Sequence, residues 1–303
     1  MNTTSNSPKL SHIVVNVNRN VTKQPIWAFC TNIKSEEPLI RFTYLSYDNQ
    51  NPDNAIEVLC NLFNTLPENR DSLFIITDSP VVTEYTKRTG VATAALYTGQ
   101  NRDENFPDVL YCIEDIEFMT YSRIERMWRR HFGIPWIIAV TDRLVIREHT
   151  MDDIDDLYDI YADPEASRYM EDLYEDRNEE ADYLRKYIDN QYRFFEYGIW
   201  AVTLKEDGRL IGRAGISQRD GYDIPEIGYI IGSGYRRCGY AKEAVSAVIN
   251  YGRKELGLTG YIAFSKEKNR ASAELLKSLG FTLAGTADIT GGIHAMYSLT
   301  KQQ

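Results

Sequence analysis

The sequence predicts an α/β protein of two domains: an N-terminal three-layer α/β domain with a mainly parallel sheet, and a second domain of strands and helices. Three observations carry this prediction. A chain of 303 residues is longer than one ordinary hydrophobic core requires. Strand-like and helix-like segments alternate through the first half, as they do where helices cover a parallel sheet. In the second half, residues 226–244 join an extended apolar run to a glycine-punctuated turn and then to a helix.

Composition and charge narrow the class of protein. Hydrophobic residues make up 43% of the chain and charged residues 26%, as in a soluble globular protein. No apolar run approaches the roughly 20 residues that a membrane span needs, so no membrane partner is expected. Residues 1–8 contain neither a basic nor an apolar segment for export, which predicts a cytoplasmic protein. A formal charge of -10 argues against nucleic acid as a partner, because phosphate binding needs a basic face.

The cysteines and histidines predict no disulfide framework and no metal site. The cysteines are widely spaced without a C-x-x-C pair, which is typical of reduced thiols. They are Cys30, Cys60, Cys112 and Cys238. The histidines are scattered without ligand spacing, and each is expected to be structural. They are His12, His131, His149 and His294.

The first half of the chain predicts a disordered tail at residues 1–9 and an α/β domain at residues 10–139. Short segments rich in β-branched and aromatic residues predict the strands, at residues 12–18, 40–45, 72–78, 91–97 and 109–113. Apolar residues at helical spacing predict the helices, at residues 54–66 and 123–132 and in a segment that ends at Arg88.

Two segments of this half resemble the haloacid-dehalogenase-like fold, over residues 10–120. Ile76-Thr77-Asp78-Ser79 stands where that family has its second motif, and residues 108–115 resemble a later strand. Phosphatases of the family need an aspartate nucleophile in a D-x-D loop after the first strand, whereas this strand ends Asn16-Val17-Asn18. An amide cannot form an aspartyl phosphate or hold magnesium strongly. We therefore expect a non-catalytic domain and disfavour a phosphatase.

The second domain is expected at residues 140–303. Gly133-Ile-Pro135 breaks the preceding helix, and residues 141–147 alternate apolar and polar side chains as an opening strand should. Further strands are predicted at residues 199–204, 210–218, 223–231 and 260–264, with a closing hairpin through Gly291-Gly292. Helices are predicted at residues 152–161, 178–192, 240–256 and 271–279.

The turn within residues 226–244 has the composition of an anion-binding site. Arg236-x-x-Gly239-x-Ala241 places no bulky side chain where a pyrophosphate would approach. Backbone N–H groups of the turn and of the following helix can therefore converge on a ligand, and the helix dipole adds to the attraction. A six-residue pattern of this kind is common by chance, so its context decides what it means.

A second motif supplies that context. Asn269-Arg-Ala-Ser272 precedes an amphipathic helix that ends Lys277-Ser-Leu-Gly280-Phe281. The two motifs, their order and their spacing of about thirty residues resemble the GCN5-related N-acetyltransferases (GNAT), most of all the branch with the ribosomal-protein N-terminal acetyltransferases. The resemblance covers residues 143–299. It implies a GNAT-type α+β fold with a splayed mixed sheet, acetyl-CoA as donor, a primary amine as acceptor, and direct transfer in a ternary complex.

The resemblance also implies which residues hold acetyl-CoA. In the family, the fourth strand, here residues 223–231, ends in a bulge and separates from the fifth, so that free backbone groups bind the pantetheine arm. An N–H aimed at the developing oxyanion would lower the barrier by roughly 3 kcal/mol. Ile230 and Ile231 are the candidates for these contacts, and Asn269 for a hydrogen bond to the pantetheine. The pyrophosphate would lie on Arg236, Arg237, Cys238, Gly239, Tyr240 and Ala241.

Two further residues are candidates for proton transfer. Glu226 resembles the family's glutamate that accepts the amine proton, and Ser272 resembles a serine that protonates the leaving thiolate. Structural alternatives stay open: Glu226 as the partner of an arginine such as Arg213, and Ser272 as a residue that only satisfies backbone donors. Many members use a tyrosine as the proton donor, at the position that Leu276 occupies here. Trp200 and Tyr229 are expected to be packing residues, with contact to the acceptor as the alternative.

A cluster of acidic residues is relevant to the charge of the acceptor. Residues 142–182 include sixteen acidic residues and four basic ones. These charges form either solvated helix faces or a field that attracts a cationic amine. Fold and donor site do not identify the acceptor, which could be a peptide N-terminus, a polyamine or another small amine. The alternatives are a different acyl donor and a non-catalytic acyl-CoA sensor, and a homodimer is one assembly to test.

Overall fold

A computed structural model of the chain describes residues 8–48, 50–51, 53–66, 69–106, 109–162, 173–289 and 292–300. The chain divides into two compact units, Met1–Ile134 and Pro135–Gln303. The predicted disordered tail falls mostly on residues 1–7, which lie outside the described residues.

The first unit contains a five-stranded sheet in which all neighbouring strands are parallel. Its strands are β1 (His12–Asn18), β2 (Arg41–Tyr47), β3 (Leu73–Thr77), β4 (Ala92–Leu96) and β5 (Cys112–Ile113). Each lies within or overlaps a predicted strand, although β5 is much shorter than its predicted range. The order β2-β1-β3-β4-β5 is that of flavodoxin-like doubly wound sheets. The resemblance to the haloacid-dehalogenase-like fold stays a prediction.

Helices cover both faces of this sheet. They are α1 (Lys23–Glu36), α2 (Asp53–Thr65), α3 (Pro80–Thr89) and α4 (Tyr121–His131). Helix α1 is not among the predicted helices, although its buried residues Ile26, Phe29 and Ile33 have helical spacing. Pro25 is acceptable there because it lies in the first turn, where a backbone N–H has no helical partner.

Alternate residues of β1 assign the helices to their faces. Ile13 and Val15 belong to a core cluster that also contains residues of α1 and α4. Val14 belongs to a second cluster, which contains Leu59 of α2 and Val82 of α3. Since successive side chains of a strand point to opposite faces, the sheet lies between two helix layers, and the three-layer prediction fits the structure.

The asparagines at the end of β1 make structural contacts. The Asn16 amide is buried and donates to the backbone carbonyl of Ala55 at 3.0 Å. The backbone N–H of Asn18 donates to the Asp78 carboxylate, at 3.0 and 3.1 Å. These residues tie β1 to α2 and to the end of β3.

The two units divide before the predicted boundary at residue 139. After α4, Gly133 adopts a positive φ of 66° and ends the helical direction of the chain. The next strand, β6 (Ile137–Val140), pairs antiparallel with β7 (Leu144–Arg147). Residues 137–140 therefore belong to the sheet of the second unit, because their hydrogen-bonding partners lie there.

The second unit contains an eight-stranded mixed sheet of order β12-β13-β11-β10-β9-β8-β7-β6. After β6 and β7, its strands are β8 (Ile199–Leu204), β9 (Leu210–Ser217), β10 (Glu226–Ile231), β11 (Gly260–Lys266), β12 (Thr282–Ile289) and β13 (Gly292–Thr300). Within the described part of this second sheet, β10 and β11 form the one parallel pair of strands. Part of the predicted turn at Gly291-Gly292 lies outside the described residues.

The helices of this unit are α5 (Ile154–Tyr161), α6 (Arg177–Lys186), α7 (Tyr192–Phe195), α8 (Tyr240–Glu255) and α9 (Arg270–Ser278). A π-helical stretch, Tyr187–Gln191, joins α6 to α7 within the helix predicted at residues 178–192. The sheet has an apolar cluster on each face. One contains Val248 of α8 and Leu276 of α9, and the other contains Leu157 of α5 and Leu184 of α6.

Candidate active site

The strands β10 and β11 separate from each other in the middle of the second sheet. They pair at Glu226 and Ile262 and, in the described part of the chain, at no further position. β10 remains paired with β9 as far as Ile231. The predicted separation is therefore present, and it leaves one edge of β10 without a strand partner. The predicted bulge is absent from the β10–β9 pairing, whose register is unbroken.

Ile230 and Ile231 lie on this open part of β10. Their side chains are 5% and 7% exposed and belong to the clusters on opposite faces of the sheet. Only their backbone groups can therefore contact a ligand between the strands. Extended backbone with one free edge can bind an arm of alternating donors and acceptors such as pantetheine.

The turn after β10 presents a helix N-terminus without a side-chain cap. Gly239 is the N-cap of α8, with a φ of 82°, and it has no side chain that could cap the first turn. Arg237 also has a positive φ, 60°, which is uncommon for a residue with a Cβ atom. The first backbone N–H groups of a helix have no helical acceptor, so they and the helix dipole favour an anion here.

The side chains around this turn leave it accessible. Arg236, Arg237 and Cys238 are exposed, and Tyr240 and Ala241 are half-buried. The Cys238 thiol lies 3.4 Å from the backbone carbonyl of Arg236. Two guanidinium groups thus flank an uncapped helix terminus, and this combination suits a pyrophosphate.

Arg143 contacts this turn from its position immediately before β7. It is not among the predicted site residues. Its guanidinium donates to the Cys238 carbonyl at 2.8 Å and pairs with Glu243 of α8 at 2.7 Å. It also lies over the Tyr240 ring, 4.3 Å from the centroid. No local pattern predicts this residue, because its partners are about a hundred positions away in the sequence.

Asn269 and Ser272 meet at the start of α9. The Asn269 side chain accepts from the backbone N–H of Ser272 at 3.1 Å and so caps the helix. The Ser272 hydroxyl lies 2.9 Å from the hydroxyl of Tyr229 on β10. Burial raises the pKa of Tyr229 to about 12, although the hydrogen bond to Ser272 opposes that shift. The structure thus joins Tyr229, expected to be a packing residue, to a predicted catalytic residue.

Glu226 lies where β10 and β11 still pair. Its carboxylate accepts from the Arg219 guanidinium at 2.5 Å, and Arg219 lies over the Phe264 ring. The arginine partner is therefore Arg219 and not Arg213, which was the example offered from sequence. Arg219 lies in the segment between β9 and β10, whereas Arg213 lies within β9 and is paired across the sheet with Ile230.

Several residues expected to be structural are buried. Trp200 and Leu276 are fully buried in the core, so Leu276 replaces the tyrosine of other members with an apolar contact. His149 is buried, its Nδ1 lies 2.9 Å from an Asp153 carboxylate oxygen, and burial lowers its pKa to about 4. Asp153 also receives a bidentate contact from Arg147, at 2.7 and 2.9 Å.

The acidic segment divides into structural and exposed charges. Asp153 and Glu180 are buried, and Glu180 accepts from the backbone N–H of Tyr174. Asp155 is exposed and pairs with Arg177. The acidic residues at positions 163–172 lie outside the described residues. Part of the described segment therefore has a structural role, and another part, which includes Asp155, faces solvent.

Comparison with known proteins assigns the second unit to a protein family. The family model described as an acetyltransferase (GNAT) domain matches residues 143–282. The uncharacterized N-acetyltransferase YnaD of Bacillus subtilis (strain 168) is 30% identical over 146 residues, which cover 48% of this chain and 82% of that protein. This chain belongs to the GNAT acetyltransferase family. As a member, it is an acetyl-CoA-dependent acyltransferase.

Other relatives of this GNAT acetyltransferase cover a similar share of the chain. The uncharacterized N-acetyltransferase p20 of Bacillus licheniformis is 32% identical over 149 residues, covering 48% of this chain and 82% of that protein. A crystal structure of an acetyltransferase from Agrobacterium tumefaciens str. C58 is 26% identical, covers 54% of this chain and 94% of that chain, and has a TM-score of 0.47.

Two further observations concern the described part of this GNAT acetyltransferase. None of its helices combines the length and apolar character needed to cross a membrane. Its His, Cys, Asp and Glu side chains form no group of three or more that could hold a metal ion, within the same described residues.

Proposed function

We propose that the protein transfers the acetyl group of acetyl-CoA directly to a primary amine in a ternary complex. The observation that carries this proposal is the opening between β10 and β11 beside the uncapped N-terminus of α8. The opening suits an extended thioester arm, and the helix terminus suits a pyrophosphate. Both features lie on the region that matches the GNAT domain.

Acetyl-CoA would be held mainly by backbone groups. Ile230 and Ile231 would contact the pantetheine arm through backbone, since their side chains are buried. Asn269 would contact the same arm with the part of its amide that does not cap α9. The pyrophosphate would lie on the turn that Arg143 supports, formed by Arg236, Arg237, Cys238, Gly239, Tyr240 and Ala241.

Glu226 would manage the amine proton. In the reaction, the amine nitrogen attacks the thioester carbonyl carbon, the carbon–sulfur bond breaks, and an amide and CoA are formed. An alkylamine is mostly protonated at pH 7, so a carboxylate can first bind the ammonium group and then take its proton. The contact with Arg219 would hold the Glu226 carboxylate in one orientation.

Ser272 would protonate the leaving thiolate. Its hydroxyl contacts the Tyr229 hydroxyl, and that phenol, whose pKa burial raises to about 12, is protonated at pH 7. A proton passed from Ser272 to sulfur could therefore be replaced along the hydrogen bond from Tyr229. This relay supports a catalytic role for Ser272 beyond its place in the first turn of α9.

The acceptor would be a cationic amine, such as a peptide N-terminus, a polyamine or another small amine. The exposed part of the acidic segment, including Glu175 and Glu179, supports this proposal because it attracts cations over several ångströms. The first unit would act in acceptor selection or in formation of a homodimer, since it lacks the aspartates that a phosphatase requires.

The decisive measurement is release of free CoA thiol from acetyl-CoA with a panel of amines. Glu226→Gln should lower turnover by about a hundredfold, with a deficit that shrinks as pH rises and more of the amine is neutral. Ser272→Ala and Tyr229→Phe should each lower turnover, and their combination should lower it less than the product of the two effects, because both remove one relay.

Exposed residues offer matched controls, Glu255→Gln on α8 and Ser278→Ala on α9. Both should turn over at the wild-type rate. Acetyl-CoA affinity, measured by calorimetry, should be the same in all variants. Full turnover in Glu226→Gln and Ser272→Ala would remove these residues from the mechanism. Binding of acetyl-CoA without turnover of any amine would instead favour the non-catalytic sensor.

A further inference from the structure

Arg213 is a cation inside the second unit that the proposed reaction does not use. It lies on β9, paired across the sheet with Ala201 of β8 and Ile230 of β10. Both partners belong to the apolar cluster under α5 and α6, so the Arg213 side chain shares that face of the sheet. The residue is half-buried.

Arg213 forms no ion pair within 4.0 Å in the described part of the chain. The phenols of Tyr161, Tyr187 and Tyr192 are its polar neighbours. The hydroxyls of Tyr187 and Tyr192 already bond to the backbone of Ile199. The Nε of Arg213 is buried and has no hydrogen-bond partner. A guanidinium that is partly withdrawn from solvent is usually paired with a carboxylate.

The same face of the sheet also carries Glu226. The cross-strand pairs run from Arg213 and Ile230, through Gly215 and Gly228, to Ser217 and Glu226. Alternate residues of a strand share a face, so a guanidinium and a carboxylate lie on either side of a pair of glycines. Their backbone positions are about 13 Å apart, at roughly 3.3 Å per residue.

Gly228 leaves space between the two charges. A Cβ atom added there would meet only the end of the Ile199 side chain, at 3.5 Å. On Gly215, an added Cβ atom would instead lie 2.1 Å from the Gly198 carbonyl, so the neighbouring chain fills that side. Space is therefore free beside Gly228, on the face of β10 that carries Glu226.

We propose that Arg213 is an anion subsite for the acceptor, so that the acceptor is an amine that also carries a carboxylate. This inference rests on the proposed function, because it takes Glu226 as the group that receives the amine. The two charges would hold a zwitterion in one direction, with its ammonium at Glu226 and its carboxylate on the fork of the guanidinium. Amino acids and short peptides have this chemistry.

The test uses ω-amino acids from glycine to 6-aminohexanoate, glycylglycine, and the carboxamide of each. The full-length protein should acetylate the best carboxylate with a kcat/KM at least about tenfold above that of its amide, as loss of a charge-assisted hydrogen bond predicts. The longer acceptors should show the larger ratio, because the two charges are far apart. Arg213→Gln should reduce the ratio to near one while turnover of the amides is kept.

Two further variants separate charge from packing. Arg213→Lys keeps the charge and should keep part of the preference, whereas Arg253→Gln removes an exposed arginine of α8 and should change nothing. Equal use of acids and amides by the wild-type protein, or a preference that survives in Arg213→Gln, would overturn the inference and leave the proposed function standing.

Binding distinguishes failure of the inference from failure of the proposed function. If no acceptor is acetylated, calorimetry in the presence of CoA measures the binding of glycylglycine and of its amide. Tighter binding of the acid that is lost in Arg213→Gln would support the subsite although the proposed reaction had failed. Absence of any such difference would overturn the subsite as well.

Discussion

Asp78 shows how one buried carboxyl connects several strands of the first sheet. It follows β3, accepts from the backbone N–H of Asn18 on β1, and receives the Tyr47 hydroxyl of β2 at 2.8 Å. The Asn101 amide in turn donates to the Asp78 backbone carbonyl at 3.1 Å. Burial raises the pKa of Asp78 from its usual 3.8 to about 6, against the effect of these hydrogen bonds.

This pKa predicts a particular dependence of stability on pH. A carboxyl whose pKa is raised on folding favours the folded state when protonated, and that contribution is lost as pH rises through about 6. Between pH 5 and pH 7, the wild-type protein should lose about 1 kcal/mol of unfolding free energy relative to Asp78→Asn. Urea denaturation of both proteins at each pH measures it. Other carboxyls titrate in both proteins and cancel, so a difference that does not vary with pH would contradict the assignment.

At the scale of elements, the N-terminus of α8 is expected to bind the most highly charged part of the donor. Gly239→Glu would place bulk and negative charge at the N-cap, where an added Cβ atom would also lie 3.4 Å from the Arg143 guanidinium. Calorimetry should show acetyl-CoA affinity falling at least about tenfold, since an anion loses both space and favourable field there.

Gly257 provides the matched control for this variant. It follows the same helix at its other end, has a positive φ of 67°, and has no atom within 4 Å of an added Cβ. Gly257→Glu should therefore show a similar loss of stability from backbone strain, about 1 kcal/mol, without loss of acetyl-CoA affinity. Unchanged affinity in a folded Gly239→Glu protein would show that the pyrophosphate lies elsewhere.

At the scale of the whole molecule, the chain divides into two compact units, and β6 belongs to the second. Ile138 of β6 is 8% exposed within the core of the second unit, and Trp136 accepts a backbone hydrogen bond from Glu148 at 2.9 Å. A fragment of residues 135–303 should therefore be more stable to urea than one of residues 141–303, by about 2 kcal/mol or more, because the shorter one loses the burial of Ile138 and the pairing of β7.

The same fragment tests the proposed role of the first unit. If residues 135–303 have the kcat/KM, acceptor preference and oligomeric mass of the full-length protein, neither acceptor selection nor dimerisation depends on that unit. A changed acceptor preference or a smaller oligomer would support the role. Equal stability of the two fragments would contradict the assignment of β6.

Much of this molecule follows from the sequence alone. The strand predicted at residues 12–18 is β1, and the helix predicted at residues 240–256 is α8, because periodicity and glycine placement depend on neighbours a few positions away. The turn around Gly239 follows for the same reason: a positive φ and an uncapped helix start are local properties.

Only the tertiary structure decided how distant side chains pair. Arg143 meets the phosphate turn across the sheet, Glu226 is held by Arg219 and not Arg213, and the Tyr229 hydroxyl meets Ser272. Each contact depends on strand order, register and the packing of α9, which couple positions tens of residues apart. The residue pattern of a short segment does not determine contacts with distant segments. The sequence therefore indicates which groups are available, and the fold determines which of them are in contact.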